Sequence, residues 1–156
     1  GPPELAVSKD RLKGYQDALR DAGLESRPEW IVEGEFLQDS GYRAMSFFMN
    51  LPDRPTALVM IDDVVAFGVL RGLHELKYKV PEDLCLVSFN NIPLSELSTP
   101  PLSSMDIGIY NLGYTASQVL IQAVQNNNDK AYPKRQIIPH RLMVRESSMY
   151  SVPKKP

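Results

Sequence analysis

Apolar positions in this chain recur with two different periods, and the alternation between them predicts its elements. Leu12, Tyr15, Leu19 and Ala22 fall at helical spacing and predict a helix over residues 9–22 with one buried face. Ser8 stands where an N-cap hydroxyl belongs, and Gly23 where a left-handed residue closes a helix. Trp30-Ile31-Val32 reads as a short strand, followed by a loop over 34–38. A second helix starts at Asp39 or Ser40 and carries Tyr42, Met45, Phe48 and Met49 on its apolar stripe. Residues 57–61 form an unbroken apolar run, and 64–76 return to helical spacing with Leu70, Leu73 and Leu76 inward. Val80-Pro81-Glu82-Asp83 makes a turn before a second apolar run over 84–89. Unalternating strands between amphipathic helices predict a parallel sheet covered on both faces.

The rhythm breaks after Asn91. Three prolines between residues 92 and 102 predict an irregular loop, and 102–107 a short strand. Residues 111–124 read as a helix with Leu112, Thr115 and Val119 near one stripe. Residues 126–130 are a solvated polar connection, 136–144 one or two strands interrupted at Pro139, and the tail from Ser151 is frayed. Gly1-Pro2-Pro3 opens as a loop feeding a helix where a doubly wound sheet normally supplies a strand. The chain therefore reads as starting partway through a fold, unless that opening is a cloning scar.

A length of 156 residues fits one domain with a real core. Lys and Arg total 17 against 19 Asp and Glu, a net charge of −2, so the chain carries no electrostatic footprint for nucleic acid. Cys85 is the only cysteine, which excludes an internal disulfide and agrees with a reducing compartment. No apolar stretch approaches the roughly 20 residues of a membrane span, and no signal peptide opens the sequence. The expectation is a cytoplasmic globular piece. His74 and His140 stand far apart without metal-ligand spacing, and no phosphate loop, nucleophile elbow or Cys-His pairing is present. Neither a metal, a cofactor nor an enzymatic activity is expected.

The chemistry concentrates at two strand ends. Asp62-Asp63 closes the first apolar run and opens a helix, and Asn90-Asn91 closes the second. In a parallel α/β sheet those ends share the carboxyl edge, where ligands bind. Adjacent carboxylate and amide groups there suit hydrogen bonding to a small polar molecule. A phosphoacceptor domain also uses acidic strand ends, but it needs a lysine where this chain has Asn90-Asn91. The structural alternatives are a solvated first-turn Arg11, a core-packed Phe36, a helix-capping aspartate and a left-handed turn residue at Asn91.

Further motifs follow in a specific order: Arg11-Leu12-Lys13-Gly14-Tyr15, Glu33-Gly34-Glu35-Phe36, Asp39-Ser40-Gly41-Tyr42, Pro55-Thr56-Ala57, Val80-Pro81-Glu82-Asp83-Leu84, Val87-Ser88-Phe89-Asn90-Asn91 and Pro101-Leu102-Ser103-Ser104. Together with Asp62-Asp63 they resemble the effector-binding core of the lactose/galactose repressor family of transcriptional regulators, over nearly all of residues 8–148. Phe89-Asn90-Asn91 and Asp106-Ile107 look most similar to the maltose-operon repressor subgroup. The resemblance implies a doubly wound, periplasmic-binding-protein-like α/β fold. Residues 1–104 would be an incomplete C-terminal subdomain and 105–136 a segment of the N-terminal subdomain. Residues 137–149 would cross back, leaving 150–156 as a tail.

The resemblance also implies a small-molecule effector, a sugar of the maltose type, held between the subdomains. Arg11 would donate to it, Phe36 would stack on it, and Asp62 and Asn90 would bond its hydroxyls. Asn90 departs from the aspartate of many relatives, which removes a charge-assisted contact, and Ile107 replaces a polar contact found in some. Asp63 is assigned to the helix cap and Asp62 to the ligand, because capping needs one aspartate. Phe67, Leu94 and Leu97 align with a homodimer interface, and operator DNA would be met only through a headpiece outside these residues. Two competing readings are a core of the same family that responds to a partner protein, and an enzyme on the same scaffold.

Overall fold

The computed structural model describes residues 1–125 and 135–149; the connection 126–130 and the tail from 151 lie outside them. Three strands, β1 (Ala57–Val59), β2 (Cys85–Phe89) and β3 (Ser103–Asp106), run parallel in that order, and β4 (Arg141–Met143) joins β3 antiparallel. Between and around them lie α1 (Ala6–Asp21), α2 (Gln38–Met49), α3 (Asp63–Glu75), the short α4 (Pro93–Leu97) and α5 (Ile109–Gln125). The result is an open, parallel-dominated α/β sheet, as the pattern predicts.

One face of that sheet is a true core. Leu58, Met60 and Leu86 point from the strands onto Met45, Phe48 and Met49 of α2 and Val65, Val69 and Leu73 of α3, all buried. Fully burying side chains of this size contributes about 1.5–3 kcal/mol each. Two glycines let the helices meet backbone to backbone. A Cβ at Gly68 would overlap the Gln38 carbonyl, and one at Gly41 the Val65 carbonyl. The α2–α3 crossing is therefore closer than side-chain packing permits, and the Asp39-Ser40-Gly41-Tyr42 motif acquires a packing reason.

The opposite face departs from expectation. Ala57 and Val59 are exposed, so β1 is covered on one side only. α1 lies over that face without closing on it: Ser8 is its single buried residue, Leu12 and Ala22 are exposed, and Tyr15 and Leu19 are half-buried. Ser8 is not the cap either. The helix starts at Ala6 after Leu5, and the buried Ser8 hydroxyl has no hydrogen-bond partner among the described residues. Gly23 does take the left-handed conformation at φ +70°.

Four further differences have local causes. Residues 28–30 form a 3₁₀ turn and Ile31 is extended, and among the described residues no strand pairs with 31–33. Leu76 caps α3 and is exposed rather than inward. Part of the proline-rich loop is helical, with Pro93 pre-setting the first turn of α4. Finally, α5 starts two residues earlier than its pattern indicates and buries none of its residues.

The helix crossing yields a paired test. Gly68→Ala should destabilise the protein by about 3 kcal/mol through backbone overlap. Gly14→Ala, in α1 with nothing within 4 Å of the new methyl, should be neutral or stabilise by up to ~1 kcal/mol. Urea denaturation of both variants checks the contrast.

Candidate effector site

The carboxyl ends of β1 and β2 bring the polar tips to one edge. Beyond β1 the chain passes through Met60, whose N–H still donates to Val87 at 2.9 Å, and Ile61 before turning into α3 at Asp62. Asp62 sits at the N-cap with extended backbone, and its Oδ1 accepts the Val65 N–H at 2.8 Å. The cap expected of Asp63 is thus supplied by Asp62 instead. The helix begins one residue earlier than the apolar pattern suggests, which moves the capping position back from Asp63. Asp62 keeps its second oxygen, Oδ2, outside that bond.

Asp63 instead turns inward and is 1% exposed. Its Oδ1 accepts the hydroxyls of Ser88 and Ser104, the latter at 2.7 Å. Its Oδ2 accepts the Ser95 hydroxyl at 2.7 Å and the Ile92 N–H at 2.8 Å. One carboxylate thereby joins the start of α3 to β2, β3, α4 and the loop after β2. Burying an ionised carboxylate is costly unless its acceptor sites are filled, and here four donors fill them.

That loop is itself unusual. Asn90 and Asn91 both adopt positive φ, +102° and +52°. Two successive left-handed non-glycine residues are strained, and asparagine tolerates the region best. Their N–H groups donate to the Met105 carbonyl and the Ser104 hydroxyl, each at 2.9 Å.

Arg11 approaches from α1. Its guanidinium donates to the Ile61 carbonyl and lies over the Phe89 ring, 4.2 Å from the centroid. The flat cation stacked on an aromatic face fixes its aim. Partial burial pulls the Arg11 pKa below its ordinary value, and the nearby charge of Asp62 opposes that shift.

Arg11, Asp62 and, through Phe89, Asn90 therefore gather at one edge of the sheet. Phe36 is half-buried in the loop after Gly34, and no described contact ties its ring to the other three. Two open grooves lie on the surface, and only the second is lined by a residue of this edge. One of about 440 Å³ lies between 31–34 and α2, and one of about 630 Å³ between α1 and the sheet, with Arg11, Val59 and Phe89 in its wall. Among the described residues, no group of three or more His, Cys, Asp or Glu could hold a metal ion. Sequence reasoning missed Phe89 as the support of Arg11 and the serines around Asp63. A run of buried-strand positions occupied by serine, Ser88, Ser103 and Ser104, was the available signal. Cys85 is half-buried, and burial pushes its thiol pKa up.

The two aspartates should separate cleanly on mutation. Asp62→Ala removes one cap bond and should cost about 1 kcal/mol. Asp63→Ala strands four donors and should cost about 3 kcal/mol or more. Denaturant melts of the two variants measure the difference.

Comparison with known proteins identifies the family. Residues 1–148 match the periplasmic binding protein-like domain. The HTH-type transcriptional repressor CytR of Escherichia coli K12 is 36% identical over 128 residues, covering 82% of this chain and 38% of the repressor. The HTH-type transcriptional repressor PurR of Aliivibrio salmonicida is 30% identical over 152 residues, covering 97% and 45%. This chain thus spans less than half the length of those two relatives. Among solved structures, a LacI transcriptional regulator from Bacillus cereus subsp. cytotoxis superposes with a TM-score of 0.90 at 41% identity, covering 94% of this chain and 51% of that one. A CelR–cellobiose complex superposes with a TM-score of 0.86 at 30% identity, covering 95% and 45%. The chain belongs to the periplasmic binding protein-like domain family, in the form that serves as the effector-binding core of LacI-family regulators.

Proposed function

We propose that this chain is the ligand-sensing and dimerising part of a sugar-responsive, cytoplasmic transcriptional regulator. The observation that carries the reading is the convergence of Arg11, Asp62 and Asn90 on one sheet edge, with Phe89 beneath the guanidinium. A guanidinium fork, a carboxylate oxygen left over from capping and a neutral amide suit a polyhydroxyl compound, which needs donors and acceptors in equal measure. Phe36, half-buried on the loop after Gly34, supplies the stacking ring when the effector is present. A relative solved as a cellobiose complex supports a sugar as the first ligand to test.

In this reading residues 1–104 form most of one subdomain, 105–136 return to the other, and 137–149 cross back. Effector contacts from both subdomains would favour their closed arrangement and alter operator affinity through a headpiece outside these residues. A ligand shifts such an equilibrium only by its unequal affinity for the two states. Leu94 and Leu97, 58% and 76% exposed on and beside the turn of α4, form with Phe67 the surface for a second copy. Phe67 is half-buried against the core.

Two measurements follow. Titration calorimetry of the full-length protein with maltose and cellobiose should show saturable heat that Arg11→Met reduces at least tenfold in affinity. Absence of heat with any sugar, and of any effect on operator binding, contradicts the reading. Sedimentation of Leu94→Glu/Leu97→Glu should show monomer where the parent shows dimer; an unchanged dimer, or a parent that is strictly monomeric, removes those leucines from the interface.

A further inference from the structure

Arg145 has no part in the sequence-based site, yet its side chain ends in the effector loop. It lies two residues beyond β4, in a segment stitched to the sheet at several points. Its own N–H donates to the Ser103 hydroxyl at 2.7 Å. The Ser147 hydroxyl donates to the Leu86 carbonyl at 2.8 Å, and the Ser147 N–H to the Pro101 carbonyl at 3.0 Å. With its backbone pinned, the half-buried guanidinium divides two donors. Nη1 donates to the Leu102 carbonyl at 2.7 Å, and Nη2 to the Asn91 side-chain oxygen at 2.8 Å.

The second bond is the informative one. Asn91 is the left-handed residue next to Asn90, and its backbone N–H donates to Ser104, whose hydroxyl passes the chain of bonds on to Asp63. Asp63 accounts for one side of the loop, through Ile92. Nothing in that network fixes the Asn91 side chain; Arg145 does. A guanidinium suits the task, because its rigid fork bonds two acceptors at a set angle, which an ammonium cannot reproduce.

We infer that Arg145 is a positioning residue of the effector edge: by holding Asn91 it locks the strained 90–91 turn and sets the aim of Asn90. Since Arg145 follows β4, whose partner strand is β3, it also ties the loop to the segment read above as crossing between subdomains. This inference rests on that reading for its consequence in binding, but not for the lock itself.

The test uses Arg145→Met, Arg145→Lys, Asn91→Gly and the Arg145→Met/Asn91→Gly double variant of the full-length protein. Asn91→Gly removes the acceptor while easing the left-handed backbone, so it provides a folded probe even if Arg145→Met folds poorly. Amide exchange without ligand should accelerate about tenfold at Asn91 and Ile92 in Arg145→Met, with β2 and α3 amides unchanged and Arg145→Lys only partly restoring protection. Affinity for whichever of maltose or cellobiose binds the parent should fall about tenfold in Arg145→Met and in Asn91→Gly. The double variant should be no worse than either single one, because both remove the same contact. Uniform acceleration across the sheet, additive losses, or a tight-binding Arg145→Met protein would overturn the positioning role. A parent that binds neither sugar overturns the sugar reading instead, and local exchange at Asn91 and Ile92 then decides the lock alone.

Discussion

The edge that carries the candidate site depends on one buried carboxylate. Asp63 faces no cation among its hydrogen-bond partners; three hydroxyls and one backbone N–H occupy its oxygens. Such a group is tolerable only when all its donors arrive together, because each missing bond exposes the full desolvation cost. The donors come from β2, β3, the loop after β2 and α4, elements spread over residues 88–104. The carboxylate thereby joins the two strand ends, the loop after β2 and the short helix in one hydrogen-bond network. Apolar packing of α2 and α3 supplies the bulk of the stability, while the Asp63 network decides the shape of the rim.

Division of labour along the rim follows. Residues that hold the shape point inward: Asp63, Ser88, Ser95 and Ser104. Residues with bonding capacity left over are the half-buried Arg11, stacked on Phe89, and the buried Asp62, whose cap bond uses a single oxygen. Preorganisation of this kind lowers the ordering cost of binding, since the polar groups do not have to be collected when a ligand arrives. Outside the rim, large apolar surfaces are uncovered. α5 buries none of its residues, α1 stands over a sheet face it does not seal, and Leu97 projects from the surface.

Much of this was legible in the sequence because it is written in periodicity. Two unbroken apolar runs and the helices beside them gave the parallel sheet, and the polar pairs at their ends gave the edge. What failed was decided by single residues or by partners that pattern cannot see. Whether Asp62 or Asp63 caps α3 depends on where the first turn closes, a shift of one residue to which hydrophobic spacing is blind. The amphipathic stripe of α1 names the face that seeks burial, but not whether anything seals it. α4 is five residues long and too short to express a period, so proline content masked it. Arg145 was invisible for a different reason: its contact with Asn91 spans 54 positions, and no local rule relates them.

The sugar-responsive function proposed above requires the effector to be held at the rim formed by Arg11, Asp62 and Asn90. Amide and side-chain shift mapping of the isotopically labelled full-length protein during titration with cellobiose tests it most directly. The predicted outcome is a set of saturable shifts centred on the Arg11 guanidinium and on Asp62, Asn90 and Phe36, with the α2–α3 crossing silent. Saturable shifts centred elsewhere, leaving those four residues unmoved, would contradict it.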